Sequence, residues 1–170
     1  KSTPAYYYGT GCGQTSGRTI VRMQFEQYCP LLHPLEIATD LIAAARALCQ
    51  RAPGVVCILG TGSNTAIYDG QQLTDQRGGF GYVLGDEGSG AHLGRILLQS
   101  FLYKQLSPTL LNWLRKHHRF NKENIISSLY QSEAPSRFLA QYAPVVHQWV
   151  AKDTALLEQV KDSYRLLVKN

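Results

Sequence analysis

A short apolar stretch that runs directly into a glycine-rich turn is the feature that most constrains how this chain can fold. Residues 55–59 are rich in β-branched side chains and predict a buried strand, and residues 60–64 (GTGSN) follow at once. Glycine tolerates positive φ and lets backbone N–H groups approach a phosphate closely, while Thr61 and Ser63 add hydroxyl donors. The same residues are equally typical of an ordinary hairpin turn, so both interpretations stay open at this point.

A second glycine-rich turn, residues 85–89 (GDEGS), precedes an apolar series at helical spacing that predicts a helix over residues 89–106. Asp86 and Glu87 therefore lie at a helix start, where carboxylates either contact a ligand or complement the helix dipole. Gly79-x-Gly81 and Gly88-x-Gly90 both lack the third glycine of a dinucleotide fingerprint, and no lysine follows in P-loop order. Those two nucleotide-binding folds are disfavoured.

Asp40 is a further candidate functional residue. With Thr39 it lies between a short predicted strand (residues 35–38) and an alanine-rich predicted helix (residues 41–48). Aspartate is among the best helix N-caps, which favours a structural role. A carboxylate at the carboxyl end of a parallel strand also lies where open α/β sheets bind ligands, and it can accept a proton from a hydroxyl group. The two roles are compatible.

The remaining patterns predict an α/β region followed by helices. A strand near residues 4–8 enters a glycine turn, a helix spans residues 17–28, and Asp69-Gly70 predicts a two-residue hairpin turn between residues 65–68 and 71–73. Residues 78–81 (GGFG) are typical of a flexible segment. Beyond the helix at residues 89–106, further helices are expected at residues 108–118, 121–131, 136–151 and 153–169.

Composition narrows the functional classes. A chain of 170 residues with 44% hydrophobic and 17% charged residues is long enough for a packed core of about one domain. The net charge is +5, but the basic residues are scattered, so no nucleic-acid partner is expected. No apolar run reaches the roughly 18 residues of a membrane helix and no signal-peptide pattern is present, so we expect no membrane partner and a cytoplasmic location.

Cysteine and histidine spacing predicts no metal site. The four cysteines form no CxxC pair, and reduced thiols are expected, with Cys57 packed inside its strand as a small apolar residue. The five histidines, including the adjacent His117 and His118 and the isolated His92, are interpreted as structural or surface residues.

Three stretches together resemble a known family. The runs ATDLIAAARAL (residues 38–48), ILGTGSN (residues 58–64) and LGDEGSGAHLG (residues 84–94) are similar to the N-acetylglucosamine kinase-like branch of the actin-like ATPase and sugar kinase superfamily. The resemblance is clearest over residues 35–99 and weaker towards both ends. It implies an α/β, ribonuclease H-like fold with a mainly helical C-terminal portion, in which residues 1–52 end a first lobe and residues 54–170 begin a second.

The resemblance also implies roles for individual residues. The GTGS turn would contact nucleotide phosphate through Gly60, Thr61 and Gly62, and Asp40 would be the catalytic base beside the sugar. The other residues implied to contact the sugar are Ser63, Asn64 and Asp86. ATP and Mg²⁺ would be required, without an assigned metal ligand in this chain.

The function expected from this resemblance is ATP-dependent phosphorylation of an amino sugar, most simply N-acetylglucosamine. An ATPase that activates a partner enzyme and a non-catalytic sugar-binding regulator are the alternatives, and a homodimer is left open. The family's first phosphate loop and its adenosine loop have no counterpart among these residues. We therefore expect an internal portion of a longer kinase, and we expect the isolated chain to be inactive.

Overall fold

The computed structural model describes residues 2–169 and divides them into two compact units. The first comprises the chain up to Cys57 together with Thr65–Gln76, and the second comprises Ile58–Asn64 and the chain from Arg77 onward. The lobe boundary expected at residues 52–54 stays a prediction.

A parallel strand pair forms the base of the first unit. The elements are β1 (Thr3–Tyr8), α1 (Thr15–Tyr28), β2 (Leu32–Ala38) and α2 (Asp40–Cys49). Tyr7 of β1 lies opposite Ile37 of β2, and its ring packs edge-on against Phe25 of α1 at 5.6 Å between centroids. Parallel strands need a crossover connection, and α1 provides it. In α2, Leu41 and Ala45 are fully buried, so this helix closes the core of the unit.

A three-stranded sheet follows, with strands β3 (Gly54–Leu59), β4 (Ser63–Tyr68) and β5 (Leu73–Gly78) in that order. The turn between β4 and β5 is built by Asp69, whose Oδ1 accepts hydrogen bonds from the N–H groups of Gln71 and Gln72, both at 2.8 Å. Gly70 has a φ of 100°, which suits glycine. The predicted hairpin is confirmed, but its two-residue loop is not: residues 69–72 connect the strands, because β5 starts at Leu73 and not at residue 71.

One packing prediction in β3 was wrong. Cys57 is exposed, as are Val55 and Leu59, whereas Val56 is buried. Successive side chains of a strand point to opposite faces, so Cys57 shares the face of Val55 and Leu59. The short apolar run had instead suggested a strand buried on both faces.

Helices make up the rest of the second unit. They are α3 (Gly81–Leu84), α4 (Gly90–Leu102), α5 (Pro108–His118), α6 (Lys122–Tyr130), α7 (Pro135–Ala140), α8 (Ala143–Trp149) and α9 (Thr154–Lys169). Leu97 of α4, Leu110 and Leu114 of α5 and Leu156 of α9 have no exposed surface. Helix α4 packs against α7, α8 and α9, so it is the central helix of this core.

The predicted helices differ from the observed ones in three places. The helix expected over residues 136–151 is two helices, because Pro144 has no N–H and its ring clashes with the carbonyl four residues earlier. The helix expected to reach residue 106 ends at Leu102, and Lys104 has a positive φ of 57°. The segment expected to be flexible ends β5 at Gly78 and begins the short helix α3 at Gly81.

Candidate functional site

The glycine-rich loop between β3 and β4 is held by the first turn of α4. The carbonyl of Gly60 accepts the N–H of Gly90 at 2.8 Å, and the carbonyl of Thr61 accepts the N–H of Ala91 at 3.0 Å. Within the loop, the N–H of Gly60 donates to the carbonyl of Gly62 at 2.9 Å. The first amides of a helix have no partner inside the helix, and here the loop carbonyls supply it.

Neither glycine of this loop is needed for positive φ, and only Gly62 is needed for space, which corrects the conformational part of the sequence argument. Neither Gly60 nor Gly62 has positive φ. A Cβ at position 62 would lie 2.8 Å from Oδ2 of Asp86 and 3.1 Å from its Oδ1. A Cβ at position 60 would meet no atom within 4 Å. Gly62 therefore lets a carboxylate approach, whereas Gly60 leaves open space beside the loop.

Asp86 lies against the loop in a constrained conformation. Its φ is 60°, in the left-handed region where aspartate is among the few tolerated residues. Only 6% of its surface is exposed, and Oδ1 accepts the backbone N–H of Ser63 at 3.3 Å. The carbonyl of Asp86 accepts the N–H of Ser89 at 3.0 Å, which closes a four-residue turn. Two backbone N–H groups therefore fix this residue, one bonded to its carboxylate and the other to its backbone carbonyl.

Ser63 and Asn64 begin β4 directly after the loop. Ser63 is 6% exposed, and its carbonyl accepts the N–H of Gly79 at 3.2 Å. The side-chain amide of Asn64 lies beside Gly79, where a Cβ would be 3.0 Å from its Nδ2. The second unit therefore places Asp86 beside the GTGSN loop. These are two of the features to which the family resemblance assigns ligand contacts.

Asp40 belongs to the first unit and is described by itself. It is the first residue of α2, and the N-cap position is occupied by Thr39. Oδ1 of Asp40 accepts the hydroxyl of Thr39 at 2.9 Å and the N–H of Leu41 at 3.0 Å. Asp40 thus lies directly after the parallel strand β2, and its half-buried carboxylate is steadied through one oxygen. The N-cap role considered for Asp40 falls to its neighbour.

A buried contact behind the Asp86 turn could not be predicted from the sequence. The N–H of Gly88 donates to Oγ of Ser163 at 3.0 Å and to Nδ1 of His92 at 3.2 Å. Burial, and secondarily the charge of Arg95, lower the pKa of His92 below its ordinary value. His92 lies close to the GDEGS motif in sequence, but Ser163 is in the last helix, and no local pattern links it to the turn.

Two solved structures resemble the chain over nearly its whole length. Neither a protein-family model nor a curated protein matches the chain. The crystal structure of the putative N-acetylglucosamine kinase of Porphyromonas gingivalis superposes with a TM-score of 0.87, at 36% identity over 94% of this chain. The predicted resemblance to the N-acetylglucosamine kinase-like family is confirmed. The corresponding protein of Chromobacterium violaceum matches at a TM-score of 0.70 and 27% identity over 97% of the chain.

Similarity to these structures confirms the predicted fold class, an α/β actin-like ATPase fold with a mainly helical C-terminal part. The chain spans 56% of the Porphyromonas gingivalis protein and 60% of the Chromobacterium violaceum protein. Among the helices of residues 2–169, none combines the length and apolar character of a membrane span.

Proposed function

We propose that the protein transfers a phosphoryl group from ATP to a hydroxyl of an amino sugar, with N-acetylglucosamine as the substrate. The observation that carries this proposal is the 36% identity to the putative N-acetylglucosamine kinase of Porphyromonas gingivalis over 94% of the chain. The glycine loop packed beside a buried carboxylate supports it. The activity belongs to the cytoplasm, where ATP is available.

The loop residues Gly60, Thr61 and Gly62 suit a nucleotide phosphate. Within residues 2–169 the N–H groups of Thr61 and Gly62 make no hydrogen bond, and the side chain of Thr61 is exposed. Two amides and a hydroxyl are therefore available as donors, and the space beside Gly60 admits a close approach. Mg²⁺ would neutralise charge on the phosphates; we assign it no ligand in this chain.

Asp86, Ser63 and Asn64 suit a sugar. The carboxylate of Asp86 is largely removed from water, and a hydrogen bond to a charged group in such a place is worth about 1.5–3 kcal/mol. One of its oxygens is occupied by Ser63 N–H, and the other can accept a sugar hydroxyl. The amide of Asn64 can both donate and accept, which fits hydroxyl and acetamido groups.

Asp40 is proposed as the general base. Its Oδ1 accepts both hydrogen bonds, from the hydroxyl of Thr39 and the N–H of Leu41, which leaves Oδ2 to take the proton of the attacking sugar hydroxyl. The sugar oxygen then forms a bond to the γ-phosphorus while the bond to the ADP oxygen breaks. Catalysis of this kind rests mainly on positioning and charge stabilisation, with the base contributing about 10²- to 10⁴-fold.

The test measures sugar-dependent ADP release by the full-length protein, with sugar and nucleotide affinities from calorimetry. Asp40→Asn should lower kcat by about 10²- to 10⁴-fold and leave sugar affinity within a few-fold. Asp153→Asn is the matched control, because Asp153 also accepts a backbone N–H at the start of a helix, from Leu156 at 3.0 Å. Near-normal turnover of Asp40→Asn would return Asp40 to a structural role.

The same assay separates the other functional classes. A sugar-binding regulator would bind N-acetylglucosamine without releasing ADP, whereas a partner-activating ATPase would release ADP without sugar. Either result from the wild-type protein would overturn the proposed kinase activity.

A further inference from the structure

Helix α9 reaches the Asp86 turn through one buried serine. Oγ of Ser163 lies 3.0 Å from the N–H of Gly88 and 2.8 Å from Nδ1 of His92, and 1% of Ser163 is exposed. The N–H of Gly88 also points to Nδ1 of His92 at 3.2 Å. These three groups form a closed cluster, the Gly88 clamp, made of one residue each from the turn, α4 and α9.

The clamp holds the residue that decides the shape of the turn. Gly88 has a φ of 73°, and the turn that it forms is closed by Ser89 N–H donating to the carbonyl of Asp86. A Cβ on Gly88 would lie 3.0 Å from Leu167 and 3.2 Å from Tyr164, both on α9. The turn therefore cannot shift towards α9, and its amide is bonded to that helix.

The hydrogen-bond directions in the clamp follow from its donors. A backbone N–H can only donate, so Nδ1 of His92 accepts and the ring proton is on Nε2. The hydroxyl of Ser163 accepts from Gly88 and donates to Nδ1. A neutral ring is required, which agrees with a pKa lowered by burial and by Arg95; the carboxylates of Glu87 and Asp86 oppose that shift.

We propose that Ser163 is a positioning residue for the amino sugar, which acts with His92 through Gly88 to hold the Asp86 carboxylate in its ligand-binding place. This inference rests on the proposed function, because it assigns a role to Asp86. The position of Asp86 is set by hydrogen bonds with the N–H groups of Ser63 and Ser89. In the Gly88 clamp, a side chain from outside the turn, that of Ser163, bonds to the turn. Helix α9 thereby contributes to the sugar site without touching the sugar.

The first experiment compares Ser163→Ala with Ser100→Ala in the full-length protein. Ser100 is also fully buried between α4 and α9, and its hydroxyl donates to Oε1 of Gln159 at 2.6 Å, away from the turn. Both variants should lose similar thermal stability. Ser163→Ala should raise the KM for N-acetylglucosamine about tenfold, with kcat and the KM for ATP within threefold, while Ser100→Ala leaves all three unchanged. Equal sugar KM values in the two variants would overturn the proposal.

The second experiment uses the histidine, and it decides the matter if Ser163→Ala does not fold. In His92→Asn the amide oxygen can replace Nδ1 as acceptor, so the sugar KM should stay within threefold of wild type, whereas His92→Ala should raise it about tenfold. Equal values for the two histidine variants would contradict a role in accepting the Gly88 N–H.

Hydrogen exchange separates this inference from the proposed function. The amides of residues 87–89 should exchange faster in Ser163→Ala than in Ser100→Ala, whatever the protein's activity. If wild type neither binds the sugar nor releases ADP with it, the proposed function fails, and positioning for the sugar fails with it. If wild type is active and exchange of the turn is unchanged in Ser163→Ala, the clamp alone is wrong.

Discussion

Adding one methyl group at position 62 tests whether Asp86 binds the sugar. In Gly62→Ala the new Cβ would lie 2.8 Å from Oδ2 of Asp86, whereas ordinary contacts begin near 3.4 Å, so the carboxylate must withdraw by about 0.6 Å. Its bond to the neighbouring Ser63 N–H is already 3.3 Å long. A retreat of that size would break this bond and displace the oxygen that faces the ligand.

The expected losses follow from that displacement. Overpacking of this kind costs about 1–3 kcal/mol of folding stability. Losing a hydrogen bond from the sugar to a charged group costs about 1.5–3 kcal/mol of binding free energy, which corresponds to about a 10- to 140-fold rise in sugar Kd. Nucleotide affinity should change less, because Asp86 is not proposed to contact phosphate.

Calorimetry with N-acetylglucosamine and with Mg²⁺-ATP measures both affinities, and thermal unfolding verifies that each variant folds. Gly60→Ala is the matched control, since its Cβ would meet no protein atom within 4 Å. Gly60→Ala should keep wild-type stability and sugar affinity and should lower only the affinity for Mg²⁺-ATP. A folded Gly62→Ala protein with sugar Kd within twofold of wild type would refute the placement of Asp86 in the sugar site.

Three further outcomes are expected. Burial lowers the pKa values of His92 and His118 in the folded protein below 6.5. As the pH falls, these histidines therefore become protonated in the unfolded chain before they do so in the folded protein. The free energy of unfolding should be greatest above pH 6.5 and fall as pH drops through the window between 6.5 and the lowered values. Denaturant titrations across that range check this, and replacing either histidine with asparagine should flatten the slope. Asp153→Ala leaves the N–H groups of Ser107 and Leu156 without their acceptor and should cost about 2–3 kcal/mol in the same titrations. The isolated 170-residue chain should bind Mg²⁺-ATP weakly and release no ADP with sugar; robust sugar-dependent ADP release would contradict this.

Local signals in the sequence predicted most of the elements. The run of β-branched residues before Gly60 marked β3, and Asp69-Gly70 marked the turn after β4, because both depend on a few adjacent residues. Pro144 carried a local signal as well, and it accounts for the break between α7 and α8. Family resemblance, and not spacing, singled out Asp86.

Contacts between distant residues could not be predicted. Gly62 is small because the Asp86 carboxylate lies against it, and nothing near Gly62 in the sequence indicates that neighbour. Ser163 reaches Gly88 from the last helix, where it resembles any polar residue on an amphipathic helix. Exposure of one face of β3 also depends on which elements cover the sheet, which a short apolar run does not reveal.

The attachment of the glycine loop to α4 has a consequence for how such a site can diversify. Gly60 and Thr61 are joined to Gly90 and Ala91 by bonds between main-chain atoms only. Replacing Thr61 deletes neither bond, so substitutions at this exposed position can alter the chemistry presented to a ligand while the loop stays registered on the helix. Gly90 and Ala91 lack this freedom, because a Cβ on Gly90 would lie 3.2 Å from the carbonyl oxygen of Gly60 and Ala91 is 1% exposed. Opening the loop would break the hydrogen bonds of two amides in the first turn of α4, so motion of the loop is coupled to that turn.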